Sequence, residues 1–423
     1  MNRYTHIFLV LTLGTLTPCV SSETREINKF DWSWEEPESR DVICSLVSPS
    51  GDYVVCGTHN KSDGPLRPDF GPGIYVCKFA LTSNQPVFAF QIPVETARVN
   101  AISCSYNADI IAFVANQYLY VLDGDGNELW HEAIASFSVD SVAVSLDGNF
   151  LAAGNYRESA PYNGPTLFYF SVDNSMPLWA KYLDDTILWG GVHISDNGRY
   201  VVATTTSRNL RGAKCYYFDT ESADPSQPIW IFQDSDLYSN SCKVAMTPDG
   251  TYVALEANNN IFFFDNSIPT DDPKAPLWVQ EGGGYSSSLH DISLTEAGDL
   301  LAYAGPHQIV GTDEYMGSYE LWDTAGDGTQ LWAFEHFSKS PSITISMDGS
   351  MLYYGGDMDI EYEPEVGAVT PNGDVLWTYP VTGHVDTGEG GERAVASNGV
   401  VVGFDYRDYH PLYLFSAQVN QEP

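Results

Sequence analysis

The chain has 423 residues, 43% of them apolar and 13% aromatic, which is ordinary for a folded protein and rich in sheet-forming side chains. Its 56 acidic residues outnumber 19 basic ones, a formal net charge of −37. That balance excludes nonspecific nucleic-acid binding, which needs cations to displace counterions from phosphates, and disfavours docking on an anionic membrane.

Residues 1–22 read as a signal peptide. Arg3 and His6 precede an apolar stretch from Ile7 to Leu16, and Val20-Ser21-Ser22 supplies small residues before Glu23. The stretch is too short to span a bilayer, and no second span follows. The expectation is a secreted, extracellular or periplasmic protein whose mature chain, 23–423, is a single domain. Six cysteines remain beyond Cys19, an even number that suits disulfides in an exported chain. There is no Cys-x-x-Cys pair to suggest zinc.

The first strand expected in the mature chain is Phe30 to Trp34. A hairpin phrase then recurs: an apolar strand, Ser or Thr, one or two turn residues, Gly, and a second apolar strand. Its clear copies are Val47-Ser48-Pro49-Ser50-Gly51, Val144-Ser145-Leu146-Asp147-Gly148, Ile194-Ser195-Asp196-Asn197-Gly198, Met246-Thr247-Pro248-Asp249-Gly250, Leu294-Thr295-Glu296-Ala297-Gly298 and Ile345-Ser346-Met347-Asp348-Gly349. Ser105 to Ala108 and Ser397 to Gly399 are degenerate copies. Asp-Gly or Asn-Gly between apolar runs marks a hairpin, because these residues accept positive φ. A third strand, often ending in Asp, follows each hairpin. A fourth carries a tryptophan at Trp130, Trp179, Trp230, Trp278, Trp332 or Trp377.

Four strands in each unit of about 50 residues is the pattern of a β-propeller blade. Eight hairpins predict an all-β, eight-bladed propeller in which the N-terminal strand around Trp32 closes the last blade beside Tyr413. Closure of that kind removes open sheet edges. Seven blades is the alternative, if a degenerate copy is not a blade.

Asp123-Gly124-Asp125-Gly126-Asn127-Glu128-Leu129-Trp130 resembles the tryptophan-docking phrase of quinoprotein-like (PQQ-type) propeller repeats. The Ser-x-Asp-Gly hairpins and Trp322-Asp323 resemble WD40-type repeats. The resemblance implies architecture and not chemistry. Quinoprotein dehydrogenases carry an adjacent-cysteine pair that this chain lacks, and no cofactor is expected.

The loops between second and third strands share a face with the connections between blades, where ligands converge. They hold His59, Lys61 and Arg67, then Tyr156 and Arg157, Arg208 and Arg211, His307 and Tyr315, and Tyr406, Arg407, Tyr409 and His410. Arginine forks suit carboxylates or sulfates, and aromatic rings stack on sugars. The ligand-binding candidates are His59, Arg67, Tyr156, Arg157, Arg208, Arg211 and Arg407, read against local salt bridges such as Arg157 with Glu158. Calcium is a candidate at Asp357, Asp359 and Glu361, while Asp123 to Asn127 reads as a strand-connecting turn. Counting outward from the Ser48–Gly51 turn, and across intervals of 27 residues, gives disulfides Cys44–Cys56, Cys77–Cys104 and Cys215–Cys242.

No G-x-S-x-G elbow, H-E-x-x-H helix or P-loop appears. The functional expectation is a secreted, non-catalytic module that binds an extracellular protein or glycan, or serves as a cell-surface building block. The alternative is a polysaccharide lyase or hydrolase acting on an acidic glycan, with His193, His290, Tyr406 and His410 as catalytic candidates.

Overall fold

The computed structural model describes residues 32–34, 41–59, 74–92, 99–134, 138–156, 164–183, 185–187, 190–206, 211–238, 242–257, 259–268, 273–282, 291–308, 315–337, 340–357, 365–380, 400–403 and 412–416. They form strands and turns, with no helix among them. Seven antiparallel four-stranded sheets follow one another along the chain. These are blades 1 (41–91), 2 (99–133), 3 (138–181), 4 (192–238), 5 (242–281), 6 (291–337) and 7 (340–380). In each, the strands a to d lie side by side in chain order. The chain is a β-propeller.

Seven complete blades match the alternative count; the expected eight four-stranded blades are not found among the described residues. The two chain ends instead make a three-stranded sheet, in which Trp32–Trp34 pairs with Leu412–Ser416, which pairs with Val400–Gly403. Ser33 lies opposite Tyr413. The residues expected to give that sheet an innermost strand, around 392–397, lie outside the described residues.

Strand formation follows from local chemistry at the a–b turns. The Ser or Thr hydroxyl accepts the amide of the residue five positions on, for example Tyr53 N to Ser48 Oγ at 3.1 Å and Tyr200 N to Ser195 Oγ at 2.9 Å. Where Asp follows two residues later, the same hydroxyl donates to it: Ser145 to Asp147 at 2.6 Å and Thr247 to Asp249 at 2.8 Å. The glycine three positions on has φ between 70° and 78° in six turns. In the degenerate copy Ala108 takes that place at φ 52°, a rarer conformation for a side-chain-bearing residue.

The core is a set of packets between successive sheets rather than one centre. One packet lies between blades 1 and 2 and others follow around the ring. Another joins the terminal sheet to blade 1, where Trp34 meets Phe79 edge-on, with centroids 5.0 Å apart.

The cysteine expectations are corrected here. No two of the six cysteines are bonded to each other. Cys44 pairs with Gly57, and Ser45 pairs with Cys56. The count from the turn was one residue out, which in a strand puts Cys44 and Cys56 on opposite faces. Cys77 faces the terminal sheet, whereas Cys104, on blade 2, faces the other side of blade 1, so these two are also separated. Cys215 and Cys242 do share one apolar packet, between blades 4 and 5.

Candidate binding surface at the hairpin end

All the a–b and c–d turns of blades 1 to 7 are at one end of the ring, and nearly all are described. A backbone hydrogen bond stitches several neighbouring a–b turns together. Ser50 N donates to Tyr106 O, Tyr106 N to Leu146 O, Asp147 N to Asp196 O, Asp196 N to Pro248 O and Glu296 N to Met347 O, at 2.8–3.1 Å. The turns thus form a rigid collar around the axis.

The axial mouth inside the collar is narrow. Pro49, Leu146, His193, Asp196, Met246 and Pro248 line a cavity of about 40 Å³. That is room for a few waters and far below the several hundred Å³ that a small-molecule site requires. His193, on strand a of blade 4, is 9% exposed in this lining.

A larger depression opens further out, between blades 4 and 5, with about 300 Å³ of space. Its floor is an aromatic stack. Tyr217 lies against Tyr200 at 5.4 Å and against Trp230 at 5.3 Å, the latter rings nearly parallel at 3°. Asn266 ties the two blades beneath it, accepting from Trp230 Nε1 at 2.9 Å and donating to Gly250 O at 2.7 Å. The walls are aliphatic: Ile229 is 46% exposed and Ile268 48%. Ile268 sits on a turn pinned by the buried Lys274, whose ammonium donates to Asp265 O at 2.7 Å and Ile268 O at 3.0 Å.

The groove also carries carboxylates, Asp219 and Asp249. Arg199 clamps Asp219 with two bonds, 3.1 and 2.8 Å, and reaches Glu221 at 3.3 Å. That contact holds the Asp219 carboxyl below the usual range. Burial works against ionisation of Asp249, but donors from Thr251 and Thr247 outweigh it and its pKa is lowered. Asp348 is lowered by the same balance, and Asp123 by Asn127. This end therefore keeps its negative charge into acid solution.

Further acids are exposed on the same turns, among them Asp52, Asp109, Asp147, Asp224, Glu296 and Asp374. Each described lysine or arginine side chain is already engaged by a carboxylate, amide or carbonyl oxygen. The hairpin end is thus a strongly anionic surface with an apolar groove in it.

The sequence-predicted candidates fall elsewhere. His59, Tyr156 and Arg211 lie on strands at the opposite end of blades 1, 3 and 4. Lys61, Arg67, Arg157, Arg208, Tyr406, Arg407, Tyr409, His410 and His290 lie outside the described residues. Asp357 ends strand b of blade 7, and Asp359 and Glu361 lie outside the described residues. His307 and Tyr315 are cross-strand neighbours in blade 6, one paired with Met316 and the other with Gln308. At Asp123 the carboxylate accepts Asp125 N at 3.0 Å, Asn127 N at 2.8 Å and Asn127 Nδ2 at 2.9 Å, the bonding of a strand-connecting turn. Among the described residues, no three His, Cys, Asp or Glu side chains gather to hold a metal ion, and no helix is long and apolar enough to cross a membrane. The groove went unpredicted because Ile229 and Ile268 are far apart in sequence. Its one local signal was the aliphatic residue preceding Trp230.

No protein-family model matches the chain, and no curated protein matches it by sequence. Solved structures do. The C-terminal WD40 domain of Sif2 is 10% identical, covering 92% of this chain and 98% of that one, with a TM-score of 0.61. Sqt1 of Chaetomium thermophilum, bound to the N-terminus of a ribosomal protein, is 15% identical, covering 92% and 100%, with a TM-score of 0.64. The β-propeller domain of Cps50 (Swd1) of Myceliophteria thermophila is 13% identical, covering 75% and 94%, with a TM-score of 0.51. The first of these is a WD40 domain, and the likenesses show the β-propeller fold. They do not confirm the resemblance to PQQ-type propellers.

Proposed function

We propose that this chain is an exported, non-catalytic propeller that binds a basic segment of another polypeptide on its hairpin end. The observation that carries the reading is the groove between blades 4 and 5. Its Ile229 and Ile268 walls suit the aliphatic stem of a lysine or arginine, and Asp249 suits the charged head. The surrounding acids would steer such a segment and repel an anionic glycan. That one similar propeller is recorded with the N-terminus of a partner protein agrees with a peptide ligand. Export rests on the apolar run at residues 7–16 and the small residues before Glu23.

The test uses fluorescent peptides, lysine/arginine-rich, neutral and glutamate-rich, titrated with the mature chain at low and high salt. The basic peptide binds and weakens steeply as salt rises. Ile268→Ser and Asp249→Asn each weaken it, the first by about tenfold, the loss of one buried anchor contact. Asn is a fold-neutral choice at Asp249, because Asn197 fills the matching turn position in blade 4 and accepts from Ser195 Oγ and Arg199 N. Equal binding of all three peptides, or binding unchanged in both variants, would refute the proposal.

A further inference from the structure

The register of blade 1 sets two cysteines side by side that the sequence did not pair. Cys56 on strand b and Cys77 on strand c are direct cross-strand partners. Such partners have Cα atoms about 4.5–5.5 Å apart, inside the window a disulfide spans. Both side chains point to the face that packs against the terminal sheet, among Val42, Val54, Phe79 and Trp34. Cys44, by contrast, points to the other face, where its sulfur lies 3.9 Å from Val99 O of blade 2.

We propose that Cys56 and Cys77 form the disulfide of this blade, joining its two central strands beneath the docked chain ends. The oxidant is a low-molecular-weight disulfide met while the chain folds. A thiolate of one cysteine attacks it and releases one small thiolate. The second cysteine, as thiolate, attacks the resulting mixed disulfide and releases the other. The two cysteine sulfurs are oxidised, and the small disulfide is reduced to two thiolates, which take up through water the two protons that the cysteines gave up. In the closed fold the reduced pair is unreactive: the hydrogen bond between the thiols, together with burial, pushes the Cys56 thiol up. The reaction therefore belongs to the folding chain, before Trp34 covers the pair.

Peptide mapping decides the pairing. Trypsin cuts after Arg40, Lys61 and Lys78, leaving Cys44 and Cys56 on peptide 41–61 and Cys77 on peptide 62–78. The full chain is refolded in mixed oxidised and reduced glutathione, alkylated and digested without reduction. The expected product is 41–61 linked to 62–78, kept in Cys44→Ser and lost in Cys56→Ser and Cys77→Ser. Peptide 41–61 closed on itself, a link lost in Cys44→Ser, or six alkylated thiols would overturn the proposal. The wild-type map alone separates these outcomes if a serine variant fails to fold.

Discussion

Blades 1 and 4 solve one packing problem with different chemistry. At the matching position of strand c, blade 1 has Lys78 and blade 4 has Tyr217, opposite Val55 and Val202. Each rides on the aromatic ring that ends its a–b turn: the Lys78 ammonium lies 4.1 Å above Tyr53, and Tyr217 stacks on Tyr200. Each donates to the backbone carbonyl of the positive-φ residue in the next blade. Lys78 reaches Ala108 O at 2.8 Å, and Tyr217 reaches Gly250 O at 2.7 Å. Blade 3 repeats the tyrosine form, with Tyr169 donating to Gly198 O at 2.8 Å. The comparison shows what the position requires: a flat or elongated apolar body and one donor at its tip. Residue type is secondary.

Three substitutions probe that equivalence, and the largest effect belongs to the stack itself. Trp230 bonds across the blade boundary and is nearly fully buried, so Trp230→Ala should cost about 3–5 kcal/mol in urea unfolding. A small cost would mean that blades 4 and 5 are held mainly by their inner strands. Lys78→Met keeps the apolar body and removes the donor. It strips the ammonium from both Ala108 O and Gly124 O. The expected loss is about 1–3 kcal/mol, the penalty of leaving buried carbonyls unserved. A gain in stability would instead show that desolvating the ammonium outweighs its bonds, and would break the analogy with tyrosine.

This equivalence also explains what could be read from the sequence. The a–b hairpins were legible because Ser or Thr, Asp and Gly act within five residues of one another, so the chemistry is written locally. The tryptophans were legible as strand-d markers because they recur. Which residue meets which across blades was not legible. Lys78 and Tyr217 have nothing in common until the ladder aligns them. The cysteine pairing failed for a related reason: a one-residue error in register moves a side chain through the sheet, from the side of Cys56 to the side of Cys44. The groove was hidden because Ile229 and Ile268 come from different blades. The blade count turned on the chain ends, where the terminal sheet has three described strands instead of four.

The smallest effects are the most diagnostic, because the two donors differ in the sign of their pH dependence. Tyr217→Phe removes one hydroxyl from Gly250 O, which keeps Asn266 as a donor, so about 1 kcal/mol or less is expected. Burial raises the Tyr217 pKa and pushes that of Tyr169 up to about 12. Unfolded tyrosine loses its proton near pH 10 while the folded rung keeps it, so stability falls as pH rises from about 10 towards 12. Burial lowers the pKa of Lys78. Just below its unfolded value of about 10.5 the unfolded chain holds the proton that the folded chain has released, so this rung gains stability as pH rises. The two contributions oppose each other in mildly alkaline solution. Urea midpoints measured between neutral and strongly alkaline pH should therefore fall earlier and more steeply in Lys78→Met than in the parent, and more shallowly in Tyr217→Phe. Parallel curves for all three proteins would show that neither rung's proton is coupled to the fold, and the shared position would then be one of shape alone.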